Sequence, residues 1–303
     1  MTVLPERYAQ RRVLGRGGMG QVLLVHDAVR DEEVALKLLA TESGSLLEAE
    51  ARLLFAREFW TMASLAHPHL VEAYDQGVLA DGTPFFTMAY IPGTDLDLAQ
   101  AAQPEAVVRG WLPGLLGALA TLHAAGWVHG DLKPANLRLR EDGQVTLMDL
   151  GLLRPAGQPA GPIRGSLLYL APEAITAGAV DARADLYALG AMLYHLLAGR
   201  PPFSASLGGR AGWALPLLRA HLEQQPPPLR TAGVSPELAG LITCLLAKDP
   251  NDRPAHVGEV LAALGLPPTP AGGGLFGAPM LGRDAERAAL AAFLADPAPG
   301  ELV

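Results

Sequence analysis

The sequence predicts an α+β fold in two unequal lobes, a small β-rich N-terminal lobe and a larger helical C-terminal lobe. Three observations carry this expectation. Strand-like runs at Val13-Leu14, Val22-Leu23-Leu24-Val25 and Val34-Ala35-Leu36-Lys37-Leu38-Leu39 surround an early glycine cluster. From about residue 104 the apolar pattern turns helical, and the segment 185–198 is apolar nearly all round, as a buried central helix is. Between the two regimes, Pro92-Gly93 breaks the chain.

The elements follow in order. A charged turn at Asp31-Glu32-Glu33 precedes the third strand, and residues 46–65 have helical periodicity, with Glu48, Glu50, Arg52, Arg57 and Glu58 among leucines. Short strands fit 71–75 and 85–88, separated by the turn Asp81-Gly82, and an amphipathic helix fits 105–125. The domain boundaries read as 1–88 for the first lobe, 89–93 for the connection and 94–266 for the second lobe. Residues 267–281 have the proline and glycine content of a linker, and 282–303 read as the start of a further domain, with a helix over 282–295.

Composition narrows the function classes. With 303 residues, half of them apolar, the chain buries a large core. A net charge of −8 argues against a nucleic-acid partner or a basic membrane-surface protein. No run reaches the roughly 18 apolar residues of a membrane span, and no apolar stretch follows Met1 as in a signal peptide. The single cysteine, Cys244, excludes an internal disulfide and fits a reducing cytoplasm. Its place in the apolar run 241–246 predicts a packed core thiol. The histidines show no zinc-ligand spacing with one another or with Cys244. Only Lys37, Lys133 and Lys248 are lysines among 23 basic residues, so each raises the question of why arginine would not serve.

Gly15, Gly17 and Gly20 form a G-x-G-x-x-G pattern. Without Cβ atoms, such a loop lets backbone N–H groups approach phosphate oxygens. A dinucleotide-binding turn must open into a helix, yet the strand-like Gln21-Val22-Leu23-Leu24-Val25 follows, which fits a lid over ATP. Lys37 then reads either as a solvated strand lysine or as a point charge on the ATP phosphates held by a carboxylate. Glu58 on the next helix is the natural partner, with Glu50 and Glu48 as alternatives.

The densest motifs are His129-Gly130-Asp131-Leu132-Lys133-Pro134-Ala135-Asn136 and Met148-Asp149-Leu150-Gly151. With the glycine loop and Lys37 in the right order before them, the chain resembles the eukaryotic-type (Hanks-type) serine/threonine protein kinases of bacteria over roughly residues 8–265. The resemblance implies catalytic roles for Asp131, which would accept or orient the substrate hydroxyl proton, and for Lys133, which would steady the transferred phosphoryl group. It implies Asn136 and Asp149 as ligands of Mg²⁺, with Mn²⁺ as an alternative, and ATP as cofactor. It extends the ATP site over Leu14, Arg16, Gly18, Met19, Gln21, Val22 and Ala35. It also makes Met88 the gatekeeper, Ala89-Tyr90-Ile91 the hinge, and Asp95 a neighbour of the ribose.

Further landmarks agree with the resemblance. Gly165–Glu173 resembles the loop that docks protein substrates, Asp185 the aspartate that begins the central helix, and Arg253 the arginine that pairs with Glu173. The tail at 276–290 resembles the lead-in to AAA- or NACHT-type ATPase domains, an ordinary amphipathic end helix being the alternative. Three positions depart from the family. Gly130 replaces an arginine, Leu150 a phenylalanine, and Arg138 an apolar residue under the adenine, where an arginine stem still covers an aromatic face.

The implied function is transfer of the ATP γ-phosphate to Ser/Thr hydroxyls of protein substrates. A pseudokinase or scaffold module acting on an attached C-terminal domain is the alternative, disfavoured because the lysine, base and metal aspartate are all present. The segment 152–164 holds no serine, threonine or tyrosine, and Gly130 offers no cation to a phosphate. Control by activation-loop phosphorylation is therefore not expected.

Overall fold

Alternation of side chains across a strand decides how the N-terminal lobe is built. A computed structural model describes residues 3–17, 20–39, 46–96, 102–204 and 213–268. Strands β1 (Tyr8–Gly17), β2 (Gly20–Asp27) and β3 (Glu32–Leu39) form an antiparallel meander. Helix α1 (Leu46–Ser64) follows, then β4 (Ala73–Val78) and β5 (Pro84–Ala89), giving a five-stranded sheet in the order β1-β2-β3-β5-β4. On β3, Val34, Leu36 and Leu38 join Tyr8, Leu23, Val25, Leu79 and Phe85 in a small cluster of their own. Ala35 and Leu39 instead enter the main core with Phe55, Phe59 and Met62 of α1. Lys37 shares the parity of Ala35 and Leu39 and so faces α1.

The second lobe begins with the short β6 (Thr94–Asp95) and α2 (Glu105–Ala124). The short strands β7 (Trp127–Val128), β8 (Leu137–Leu139), β9 (Val145–Leu147), β10 (Arg154–Pro155) and β11 (Gln158–Pro159) follow. After them come α3 (Pro172–Ile175), β12 (Ala179–Val180) and α4 (Ala182–Ala198). The chain continues through α5 (Ala214–Glu223), α6 (Pro236–Leu245) and α7 (Val257–Ala263).

The central helix α4 begins at Ala182, three residues before the expected start, because the Asp181 side chain accepts the Arg183 N–H and caps it. It ends at Gly199, whose φ of 68° suits a glycine C-cap. Nearly every residue from Ala184 to Leu197 is buried, as a sequence apolar nearly all round predicts. On α2, Val108, Trp111, Leu112, Leu115, Leu119 and Leu122 form one buried stripe.

Two local expectations are corrected. The strand expected at 71–75 runs instead over Ala73–Val78, because the Val71 N–H bonds to Leu147 O, outside the sheet. Cys244 is exposed and not a core thiol. Its helix turns Leu241, Ile242 and Leu245 inward, which carries the residue between them to the outer face. The expected linker beyond residue 268, the helix over 282–295 and the ATPase-like tail lie outside the described residues. Among the described residues no helix is long and apolar enough to cross a membrane.

Candidate active site

Lys37 and Glu58 meet because two periodicities bring them together. Strand parity turns Lys37 toward α1, and helical spacing places Glu58 with Phe55, Phe59 and Met62 on the face that packs against β3. Lys37 Nζ donates to Glu58 Oε1 at 2.6 Å and Oε2 at 2.8 Å, and reaches Asp149 Oδ1 at 3.4 Å. The side chains of Glu48 and Glu50 lie outside the described residues. Burial works against the Lys37 ammonium, but Glu58 and Asp149 more than offset it and hold its pKa above the ordinary value. Burial pushes Glu58 up to about 7 against the pull of Lys37.

The segment expected to carry catalysis is a tight loop between β7 and β8. Lys133 Nζ donates to Asp131 Oδ2 at 2.7 Å. Asn136 Nδ2 donates to the Asp131 carbonyl at 2.8 Å, which leaves its amide oxygen as a free acceptor among the described contacts. Asp149 has φ 33°, a left-handed conformation rare for a non-glycine residue and the kind of strain that concentrates at functional sites. Its side chain is half exposed. Burial alone would raise its pKa, yet Lys37 and the Gly151 N–H hold the carboxyl below the usual range, so it is ionised. An ionised carboxylate and an amide oxygen form a hard-oxygen pair that fits Mg²⁺.

The rest of the expected nucleotide site lies on β1–β3 and the inter-lobe connection. In the β1–β2 hairpin Gly17 pairs with Gly20, Arg16 with Gln21 and Gly15 with Val22. A Cβ at Gly15 or Gly17 would meet nothing within 4 Å, so these backbones border open space. Gly18 and Met19, at the tip, lie outside the described residues. Leu14 and Val22 pack at the edge of the main core, and Ala35 pairs with Met88 across β3 and β5. Tyr90 receives a hydrogen bond from Arg12 on its hydroxyl, 3.1 Å, tying the connection to β1. Arg138 donates through Nε to the Ile91 carbonyl at 3.1 Å and pairs through Nη1 with Asp95. Asp95, expected beside the ribose, thus also anchors the arginine that replaces an apolar residue.

Gly130 has φ +77°, and a Cβ there would lie 2.9 Å from the Leu152 carbonyl oxygen and 3.6 Å from Arg154 Nε. The glycine therefore admits both the turn and the close approach of the following segment. Arg154 donates through Nη1 to the Ala160 carbonyl at 2.7 Å, closing its own loop. Main-chain bonds do the rest. β10 pairs with β7 and β11 with β12, Ala156 N–H reaches Gly126 O at 2.8 Å, and Ala160 N–H reaches Gly178 O at 3.0 Å.

Two clusters go beyond the sequence reading, which names Asp185 only as the aspartate that begins the central helix, without its partners. The buried Asp185 carboxylate accepts from His123 Nε2 at 2.8 Å, His129 N–H at 2.8 Å and Gly130 N–H at 3.0 Å. It thereby holds the catalytic loop onto α4. Full burial opposes its charge, but these donors hold its pKa below the usual carboxylate range. The other is Lys248 with His221 and Tyr187, for which the scarcity of lysine was the only sequence signal. Glu173 and Arg253 pair in two bonds of 2.8 and 2.9 Å.

A five-stranded sheet over a helical lobe, with a lysine–glutamate pair and a tight Asp–Lys–Asn loop at their junction, defines the protein kinase class. The chain belongs to that family: residues 8–263 match the protein kinase domain. Its relatives narrow this to a Hanks-type serine/threonine kinase catalytic domain. A probable serine/threonine-protein kinase of Streptomyces coelicolor is 36% identical over 260 residues, 82% of this chain and 38% of that protein. PknJ of Mycobacterium tuberculosis is 35% identical, over 83% of this chain and 44% of its own length. PknB of Mycolicibacterium smegmatis is 33% identical, over 86% and 43% respectively. The chain thus spans less than half the length of these relatives. ATP and a divalent metal, typically Mg²⁺, are what the family's reaction uses.

Proposed function

We propose that this domain transfers the γ-phosphoryl group of ATP to serine and threonine hydroxyls of protein substrates. The observation that carries the reading is the position of Lys37 Nζ, within 2.8 Å of both Glu58 oxygens and 3.4 Å from Asp149. That arrangement holds a compact, buried cation beside the metal-type carboxylate, where triphosphate charge needs neutralising. Bound Mg²⁺, or Mn²⁺ in its place, would be held by Asn136 and Asp149 and would offset charge on the phosphates. Asp131 orients the acceptor hydroxyl and receives its proton, and Lys133, already hydrogen-bonded to Asp131, lies where it stabilises the moving phosphoryl group. The glycine loop covers the phosphates, and Arg138 with Asp95 floors the base and ribose.

The reading includes activity without phosphorylation of the segment 152–164, supported by the main-chain bonds that close that segment. We assign the domain to the cytoplasm, where a single exposed thiol stays reduced. The direct test is incubation of the purified chain with γ-labelled ATP, Mg²⁺ and a panel of serine- and threonine-containing proteins. Label on hydroxyl side chains supports the reading. ATP binding with no transfer to any acceptor, itself included, overturns it.

A further inference from the structure

Two of the three lysines belong to the proposed active site, and the third, Lys248, lies in the second lobe against the last turn of α5. Its ammonium donates to the His221 carbonyl at 2.8 Å and the Ala220 carbonyl at 3.4 Å, and lies 3.5 Å from the Tyr187 hydroxyl. It also sits 4.2 Å from the centre of the Phe203 ring. Two carbonyls of the last turn of α5 and an aromatic face converge on one point. A compact ammonium satisfies that geometry, and a planar guanidinium fork does not. Burial and the neighbouring Arg253 lower the pKa of Lys248 to about 8, so its charge is held there against its own preference.

What Lys248 fixes is the turn that carries His221. That ring is fully buried, with Nδ1 at 2.9 Å from the Tyr187 hydroxyl, and burial lowers its pKa to about 4, so it is neutral. The backbones of Leu167 and Leu168 lie against the ring, and their side chains pack on Phe203, Leu217 and Ala220. His221 Nε2 has no well-formed hydrogen bond among the described residues, so its contact with the main chain of Leu167 and Leu168 depends on how the turn is placed. One residue earlier, Ser166 donates its N–H to Asp131 Oδ1 at 2.7 Å. A continuous path therefore runs from Lys248 through His221 and the segment Ser166–Leu168 to the proposed base. A hydroxyl presented to Asp131 must bring its flanking residues past that same segment.

We propose that Lys248 is a positioning residue for the protein acceptor, setting through His221 the place of the segment against which the acceptor chain lies. The proposal rests on the phosphotransfer reading for its kinetic consequence, but the placement of the segment can be measured without it.

The test compares the full chain with Lys248→Arg, which keeps the charge, and Lys248→Met, which keeps the stem. Hydrogen–deuterium exchange of the amides in 165–170 is read alongside steady-state kinetics on a phosphorylatable protein and ATP hydrolysis without acceptor. Both variants are expected to speed exchange in that segment, and to raise KM for the acceptor about fivefold or more while KM for ATP and acceptor-free hydrolysis stay within about twofold. If only the methionine variant fails to fold, the arginine variant decides. Unchanged segment exchange and unchanged acceptor KM overturn the proposal. So does a parallel loss of every parameter with thermal stability, which would mark Lys248 as a helix cap and nothing more. If the wild-type chain transfers no phosphate, the exchange measurement alone decides the placement.

Discussion

The Ser166 backbone N–H is hydrogen-bonded to the Asp131 carboxylate at 2.7 Å, a main-chain link between the two segments. The segment before Ser166 is held by β10–β7 and β11–β12 pairing and by Arg154 on the Ala160 carbonyl. Chain co-expressed with a phosphatase and shown by mass spectrometry to be unphosphorylated is therefore expected to work at full initial rate. A pronounced lag abolished by preincubation with ATP, with phosphate mapped to Ser166, would show this to be wrong.

Asp131→Asn and Asp149→Asn each remove the charge on which the proposed mechanism relies while keeping side-chain shape. Each is expected to lower phosphotransfer by about a thousandfold or more. Circular dichroism should remain that of the wild type. Near-normal transfer by either variant would falsify the assigned mechanism.

Glu58 has its pKa raised to about 7 by burial, with Lys37 pulling the other way. As pH falls through that value the carboxylate gains a proton and the anchor of Lys37 is lost. The kcat/KM for ATP, which reports the free enzyme, should fall on the acid side with an apparent pKa near 7. Glu58→Gln should lose most activity along with that limb. A profile flat between about pH 6 and 8 would contradict the assignment.

Asp185 gathers one histidine and two backbone donors onto a single buried carboxylate. Asp185→Ala strands all three and should cost about 3–5 kcal/mol in a denaturant titration. Since the folded-state pKa is depressed, the carboxylate's contribution is full above the ordinary carboxylate range. It is lost as pH falls through the depressed value. Acid unfolding of the alanine variant should therefore be less steep than that of the wild type.

How much was legible in the sequence depended on whether a local period carried the information. Lys37 and Glu58 were readable because strand alternation and helical spacing each fix a direction, and both point into the same gap. The same logic explains Cys244: five apolar letters of six over 241–246 look like core, yet on a helix they cannot all face one way. Asp185 and His123 stand 62 residues apart, and no local pattern encodes their meeting. Lys248 was noticed only as a rarity, and its carbonyl partners at Ala220 and His221 are main-chain atoms that leave no mark in the sequence.

The closure of the segment before Ser166 has an evolutionary side. It is made largely by backbone N–H and carbonyl groups, which every residue but proline supplies alike. Exposed side chains there, such as Ala156 and Gln158, can drift under mutation without unfastening the segment, provided Arg154, the buried Leu153 and Ala160 and the positive-φ Gly157 remain. Selection thus has a stretch of surface beside the catalytic cleft on which new recognition features can be tried while the chemistry behind it goes on undisturbed.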